Sequence, residues 1–334
     1  MGTIYNGVIM KKPVFLILFI AYLIISCNKK EAVLVRQSTS KINTISVIIE
    51  DQLWEGEIGD NIRNKFASPV LGLPQEEPLF TINQYPANLL EGLMTDSRAI
   101  IVVKTATKNS FEIRKNQYAS PQNVFHISGK STREIISILE KNTPQIIQII
   151  KDSEIAENQR IINKSLLDSK IIFNKFHISL KIPSSYSYVL LKNNFMWLKR
   201  EIISGNTSLL LYQVPISSIK NNSDLVSNII KMRDSIGTLY ISGKAKNTPM
   251  ITEEGYAPYL FNIKLDGKET YETKGTWELK NDYMSGSFIN YVVIDKEHKR
   301  ALVLEGFCYS PSKEKRDLMF ELEAIIKSVV IQKK

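Results

Sequence analysis

Residues 14–25 form an unbroken apolar run if Tyr22 is counted with them, directly behind Lys11-Lys12. Crossing a hydrocarbon core of about 30 Å takes about 20 such residues, so this run is too short for a spanning helix. A basic stretch followed by a short apolar one reads instead as an export signal. Residues 1–26 are therefore expected to be a signal peptide, with Met10 fitting its layout better than Met1 as the start. Residues 27–43 show no sustained periodicity and read as a tether.

The pattern then changes to that of packed elements. Residues 45–50 predict a buried strand, and Asp51 a cap for a helix with Trp54, Ile58, Ile62 and Phe66 on one face. Gly56 and Gly59 weaken that helix, so tertiary packing has to hold it. Pro69, Pro74 and Pro78 mark an irregular connection. Residues 99–104, 111–115 and 123–128 read as strands. Ser131 with Glu134 makes a capping box for a helix to about Lys141, and Thr143-Pro144 restarts it through Ile146, Ile150, Ile162 and Leu166.

A second series of strands is expected from about Ile172, at 176–182, 188–191, 195–201 and 208–213. Ser223-Asp224 then cap a helix that stops at Gly237. Residues 269–279, 287–294 and 300–309 form a meander. Ser310-Pro311-Ser312 start a last helix with Leu318, Leu322, Ile325 and Val329 on one face. The fold class predicted is α+β: two mixed units, 44–171 and 172–334, the C-terminal one an antiparallel meander packed on helices.

Composition sharpens this picture. Among 334 residues, 43% are apolar, which excludes a disordered chain, and the 2 Cys and 3 His exclude a disulfide scaffold and a His-rich metal site. The 43 bases against 34 acids give +9. Without residues 1–26 the balance is 41 to 34, or +7 on 308 residues. The bases are spread along the chain, and an exported protein meets no nucleic acid, so that partner is not expected.

Chemistry-bearing patterns are few. Ser128-Gly129-Lys130-Ser131-Thr132 stands between strand and helix, but a phosphate loop needs a glycine at 124, where Val stands. No nucleotide is expected. Glu50, Asp51, Glu55, Glu57, Asp60, Glu76 and Glu77 face only Arg63 and Lys65, a local inversion of sign. Paired carboxylates there would suit a hard cation or acid–base work, whereas helix-dipole and solvent roles explain the same residues. His126, His177 and His298 are scattered, and Cys308 alternates with apolar neighbours as a buried thiol does. No Gly-x-Ser-x-Gly elbow occurs. Asp234-Ser235-Ile236 matches a short O-glycosylation pattern of Bacteroidota. Trp197, Tyr271, Trp277, Tyr283, Phe288 and Tyr291 would stack a sugar if they shared an exposed face, while strand aromatics more often pair in a core.

Two resemblances extend the reading. Ile24-Ile25-Ser26-Cys27 resembles the lipobox of bacterial lipoproteins, which implies that Cys27 becomes a diacylated, palmitate-bearing N-terminus, two chains being enough for stable anchoring. Leu53-Trp54-Glu55-Gly56-Glu57-Ile58-Gly59-Asp60, Gly72-Leu73-Pro74-Gln75-Glu76-Glu77-Pro78, Arg233-Asp234-Ser235-Ile236-Gly237, Tyr271-Glu272-Thr273-Lys274-Gly275-Thr276-Trp277, Gly286 with Phe288-Ile289-Asn290-Tyr291, Glu305-Gly306-Phe307 and Lys315-Arg316-Asp317 resemble a family of Bacteroidota lipoproteins, domain of unknown function four-eight-three-seven. The resemblance implies an envelope context and no activity. The C-terminal half also looks like the α/β/α layout of the oxygen-evolving-complex P-subunit superfamily, a fold analogy alone. Asn28-Lys29-Lys30 is unlike the acidic stretch of surface-exported lipoproteins, which implies the periplasmic side of the outer membrane. The expected function is a non-catalytic binding or envelope-assembly module with an envelope protein partner and no cofactor or metal. The alternative is an envelope hydrolase using the acids of 50–77.

Overall fold

The computed structural model describes residues 1–3, 36–89, 95–220 and 224–333; residues 4–35, with Met10 and Cys27, and Ser223 lie outside them. From Gln37 onward the chain is one unit. Its first sheet grows from Thr44–Ile48 (β1), a strand buried along its whole length. Thr81–Tyr85 (β2) and Ala99–Thr105 (β3) flank it in parallel, and Asn123–Gly129 (β5) continues the parallel run beside β3. Ser110–Lys115 (β4) closes that edge antiparallel to β5. Parallel strands covered on both faces read as continuous apolar runs, which is why 45–49 shows no alternation.

Two helices cover one face. Ile58, Ile62 and Phe66 of Glu57–Phe66 (α2), with Ile135, Leu139, Ile146 and Ile150 of Thr132–Ile162 (α3), pack on Ile45, Val47, Ile101 and Phe125. The single helix expected from Asp51 is instead two, Asp51–Trp54 (α1) and α2, with Glu50 in the capping position. At Gly59 a Cβ would stand 1.8 Å from the Trp54 carbonyl oxygen, so the break depends on glycine there. The expected restart at Pro144 is also corrected, because α3 runs through it for 31 residues. Pro144 cannot donate to the Glu140 carbonyl. Next to it, Asn142 Nδ2 donates to Ile138 O and Thr143 Oγ1 to Leu139 O, each at 2.7 Å, so side chains hold the turn as buried Ile146 and Ile150 press it on the sheet.

The strand series expected from about Ile172 begins instead with a helix, Lys170–Phe176 (α4), which buries Ile172 and Phe176 one turn apart and ends at His177 with φ 52°, and most of the strand expected at 176–182 is irregular. Only Ile178–Ser179 (β6) is strand, antiparallel to Val330–Ile331 (β15) at the chain's end. The main C-terminal sheet is antiparallel throughout. Ser187–Leu191 (β7), Phe195–Ile202 (β8) and Gly205–Val214 (β9) lead to Arg300–Tyr309 (β14), then Ser285–Asp295 (β13), Lys268–Leu279 (β12) and Met250–Thr252 (β10). Tyr259–Leu265 (β11) also pairs with β12.

Helices lie on both faces of this sheet. Leu225–Tyr240 (α5) sets Ile229 and Met232 against Leu210, Val303 and Phe307, and Arg316–Ile326 (α6) sets Leu322 and Ile325 against Leu209, Leu304 and Ile289. Gly237 does not stop α5. It lies within the helix, where a Cβ would stand 2.3 Å from the Met250 carbonyl oxygen. The last helix begins at Arg316, later than Ser310-Pro311-Ser312 implied. With helices and mixed or antiparallel strands in both halves, the chain is α+β.

Candidate binding cleft

Strand alternation puts Glu272 and Lys274 on the same face of β12, and the antiparallel register places Tyr291 of β13 opposite Glu272. Tyr291 Oη donates to Glu272 Oε1 at 2.7 Å, and Lys274 Nζ lies 3.1 Å from the same oxygen. From above, α6 lowers Glu323, whose carboxylate receives Lys327 one turn on at 2.6 Å and Lys274 at 3.4 Å. Burial pushes the Glu323 carboxyl up, but the charges of Lys274 and Lys327 outweigh it and hold it at about 2. Burial likewise opposes the Lys274 charge, which Glu323 and Glu272 nevertheless sustain above the usual lysine value. Burial with these two carboxylates drives the Tyr291 phenol well up.

The other wall comes from the N-terminal half. Lys151 of α3 and the loop through Val70, Leu71, Gly72 and Leu73 enclose, with Lys274, Ser287, Phe320 and Glu323, a mostly apolar cleft of about 60 Å³. Gly72 has φ 82°, and a Cβ on it would stand 3.0 Å from Gly275 N, so only glycine lets this loop lie directly on β12. The Lys151 ammonium makes no hydrogen bond or ion pair among the described residues, and burial, then the neighbouring Lys274 charge, lowers its pKa. Ser287 is 1% exposed, and its Oγ has no partner among the described residues.

The acids of 50–77 do not converge here. Glu50, Asp51, Glu55, Glu57, Asp60 and Glu76 are dispersed and exposed. Glu77 alone is buried: its carboxylate accepts Lys315 N and Arg316 N at 2.8 Å, at the start of α6. Arg316 in turn donates to Pro78 O and Thr81 Oγ1. The hydrolase alternative thus lacks the converging carboxylates it would need.

On the opposite face of the sheet, a second buried network joins α5 to the strands. Arg233 Nε donates to Glu305 Oε1 at 3.0 Å and Nη1 to Thr252 Oγ1 at 2.9 Å, with the guanidinium 3.8 Å over the Phe288 ring. Asn290 Nδ2 donates to Glu305 Oε2, and Asp234 accepts Thr252 N and Oγ1. Ser235 Oγ bonds Lys231 O on α5, so the glycosylation pattern lies on a helix.

The remaining candidates resolve individually. His177 and His298, distant in sequence, stack at 5.7 Å, and His298 Nδ1 meets Asp295 Oδ2 at 2.8 Å. His126 bonds Gln117, and burial lowers its pKa. Gly129 packs against Ile135 of α3, at the turn between β5 and α3. Tyr271, Trp277, Phe288 and Tyr291 are core residues, Trp197 is half-buried and Tyr283 fully exposed, so the six share no exposed face. Burial pushes the Cys308 thiol up to about 11. Among the described residues no three His, Cys, Asp or Glu side chains are placed to hold a metal.

Sequence reasoning included Glu272, Lys274 and Gly72 only as parts of motifs and missed Lys151 and Glu323. The Glu323–Lys327 spacing of four on a helix was the available signal. Six of the seven motif segments have a physical explanation: those at 72–78, 271–277 and 315–317 border the cleft, and those at 233–237, 288–291 and 305–307 build the Arg233–Glu305 network. Residues 165–328 match the family described as Domain of unknown function (DUF4837). Residues 38–163 match a second family, Domain of unknown function (DUF8532), so Lys151 and Leu71 come from one matched region and Lys274 and Glu323 from the other.

No curated protein matches the chain. Several solved structures are similar over part of it. The Ran-binding protein Mog1p of Saccharomyces cerevisiae is 9% identical, covering 46% of this chain and 89% of its own, at a TM-score of 0.30. LpqN of Mycobacterium tuberculosis, involved in cell envelope biogenesis, is 10% identical over 46% of this chain and 83% of its own, at 0.28. Human StAR-related lipid transfer protein 5 is 7% identical over 52% and 97%, at 0.24. At these scores the likenesses carry no argument about activity.

Proposed function

We propose that the protein is a lipid-anchored cell-envelope module that holds a partner protein or envelope component in the cleft without transforming it. The observation that carries the binding reading is the cleft's polar inventory. Its carboxylates are already paired with Lys274, Lys327 and Tyr291, and the Ser287 hydroxyl has no base beside it. A group held at about 2, as Glu323 is, neither gives nor takes a proton near neutral pH. An apolar wall with one unpaired ammonium is suited to recognition. The anchor rests on the short apolar run and on Ile24-Ile25-Ser26-Cys27, and the basic residues after Cys27 favour anionic headgroups at about 1 kcal/mol each near a surface. The periplasmic face of the outer membrane is part of the same proposal.

One experiment in cells addresses both parts. Cys27→Ala is expected to move the protein out of the membrane fraction, and retention there would refute the anchor. A photo-crosslinking residue at Leu71, on the cleft's exposed rim, is expected to capture a reproducible partner identified by mass spectrometry. Capture of nothing at native abundance would remove the binding reading.

A further inference from the structure

Resting on that reading, we infer the chemical class that the cleft receives: a monocarboxylate on a short apolar stem, with Lys151 and Ser287 as its polar partners. The charges near the cleft are three ammonium groups, Lys151, Lys274 and Lys327, and two carboxylates, Glu272 and Glu323. Arg316, which also lines it, is paired with Asp317 at 2.8 Å. One positive charge is therefore unmatched. Lys274 is fixed between the two carboxylates and Lys327 lies on Glu323, so the unmatched ammonium is that of Lys151. A half-buried ammonium without a hydrogen-bond acceptor is costly, and an incoming anion relieves that cost.

The second observation is independent of charge. Ser287 Oγ is buried, lines the same cleft and has no partner among the described residues. A buried hydroxyl left unsatisfied is destabilising, and a carboxylate has lone pairs for a hydroxyl and an ammonium together. Burial and the Lys274 charge lower the pKa of Lys151, an effect that an anion bound beside it reverses.

The number of charges and the size of the site narrow the class further. A dianion such as phosphate would bring a second negative charge towards Glu272 and Glu323, with a single ammonium to receive it. The walls at Val70, Leu71, Leu73, Leu79 and Phe320 are apolar and suit an alkyl group. About 60 Å³, at ~10–15 Å³ for each water-sized position, gives room for roughly four to six such positions. A branched four- or five-carbon acid is of that size. The same group ends in a free short-chain acid or in a polypeptide C-terminus with an apolar last residue.

Titration of the purified full chain by calorimetry separates these sources. The probes are isovalerate for the free acid, N-acetyl-leucine for the chain terminus, isovaleramide as the uncharged isostere, and inorganic phosphate. Saturable binding of isovalerate or N-acetyl-leucine is expected, at least about 10-fold tighter than isovaleramide, because the amide keeps an acceptor oxygen but lacks the charge that pairs with the Lys151 ammonium. The tighter of the two acids identifies the source. Lys151→Gln is expected to weaken it about 10-fold or more, and Ser287→Ala several-fold. Isovaleramide or phosphate binding as tightly as the acids, or saturation by neither acid, overturns the inference. The amide comparison uses the unaltered protein and stands even if a variant fails to fold. If Leu71 still captures a partner in cells while both acids fail, the ligand class is wrong and the binding reading stands.

Discussion

Glu323 sits between opposing forces that can be separated by pH. Its folded pKa of about 2 lies below the ordinary 4.5, because Lys274 and Lys327 outweigh burial. A carboxylate depressed in this way stabilises the fold fully above the unfolded value, and the contribution is lost as pH falls from about 4.5 towards 2. The displacement corresponds to on the order of 3 kcal/mol. Glu323→Gln is therefore expected to lower the urea midpoint at pH 7 and to flatten its decline between pH 4.5 and 2. Parallel midpoint curves for the two proteins would show that the charge is not what stabilises. At the same scale, Arg98 and Glu154 form a fully buried pair at 2.8 Å, with two further guanidinium hydrogens on Ser40 O and Lys41 O. Those bonds fix the chain entering β1 against α3. Neither the pair nor the Tyr291–Glu272 bond was readable in advance, since each joins residues that only the folded topology brings together.

Among the elements, α6 depends on a residue far away in sequence. It starts after Lys315 with no side-chain cap from its own segment, and Glu77 supplies one across 238 residues. A carboxylate on exposed N–H groups at a helix start satisfies both the hydrogen bonds and the dipole. Glu77→Ala should cost about 1–3 kcal/mol in chemical denaturation, the penalty for leaving those donors buried and unpaired. Glu77→Gln should recover part of it, and an unchanged midpoint for the Ala variant would refute the cap. The long meander strands β12, β13 and β14 could be read from the chain because β-branched runs and turns recur there. Failures came where local and tertiary signals part. A proline predicted a boundary inside α3, which packing and two side-chain bonds override. Ile172 and Phe176 fit either period over so short a span, and burial chose the helix. Glu77 was visible as an acid among acids, but its partner was not, which is why the acidic segment looked like a site.

Across the whole molecule, the two matched regions share their connections. Glu77 reaches Lys315, Asn43 Nδ2 donates to Asp317 Oδ1, and Gln159 Nε2 of α3 to Ala324 O of α6. The cleft itself takes one wall from each region. Such shared burial argues that neither region melts alone. Scanning calorimetry of the full chain is expected to give a single transition with matching calorimetric and van't Hoff enthalpies, and two resolved transitions would contradict it. The uninterrupted α3 has a mechanical consequence. Its 31 residues extend about 46 Å as one rod. Ile135 to Ile150 are packed on the first sheet, and Ile162 lies in the core of the second. The rod leaves no pivot between the two sheets, so the cleft, with one wall on each, is a preformed mould whose width is set before anything enters it.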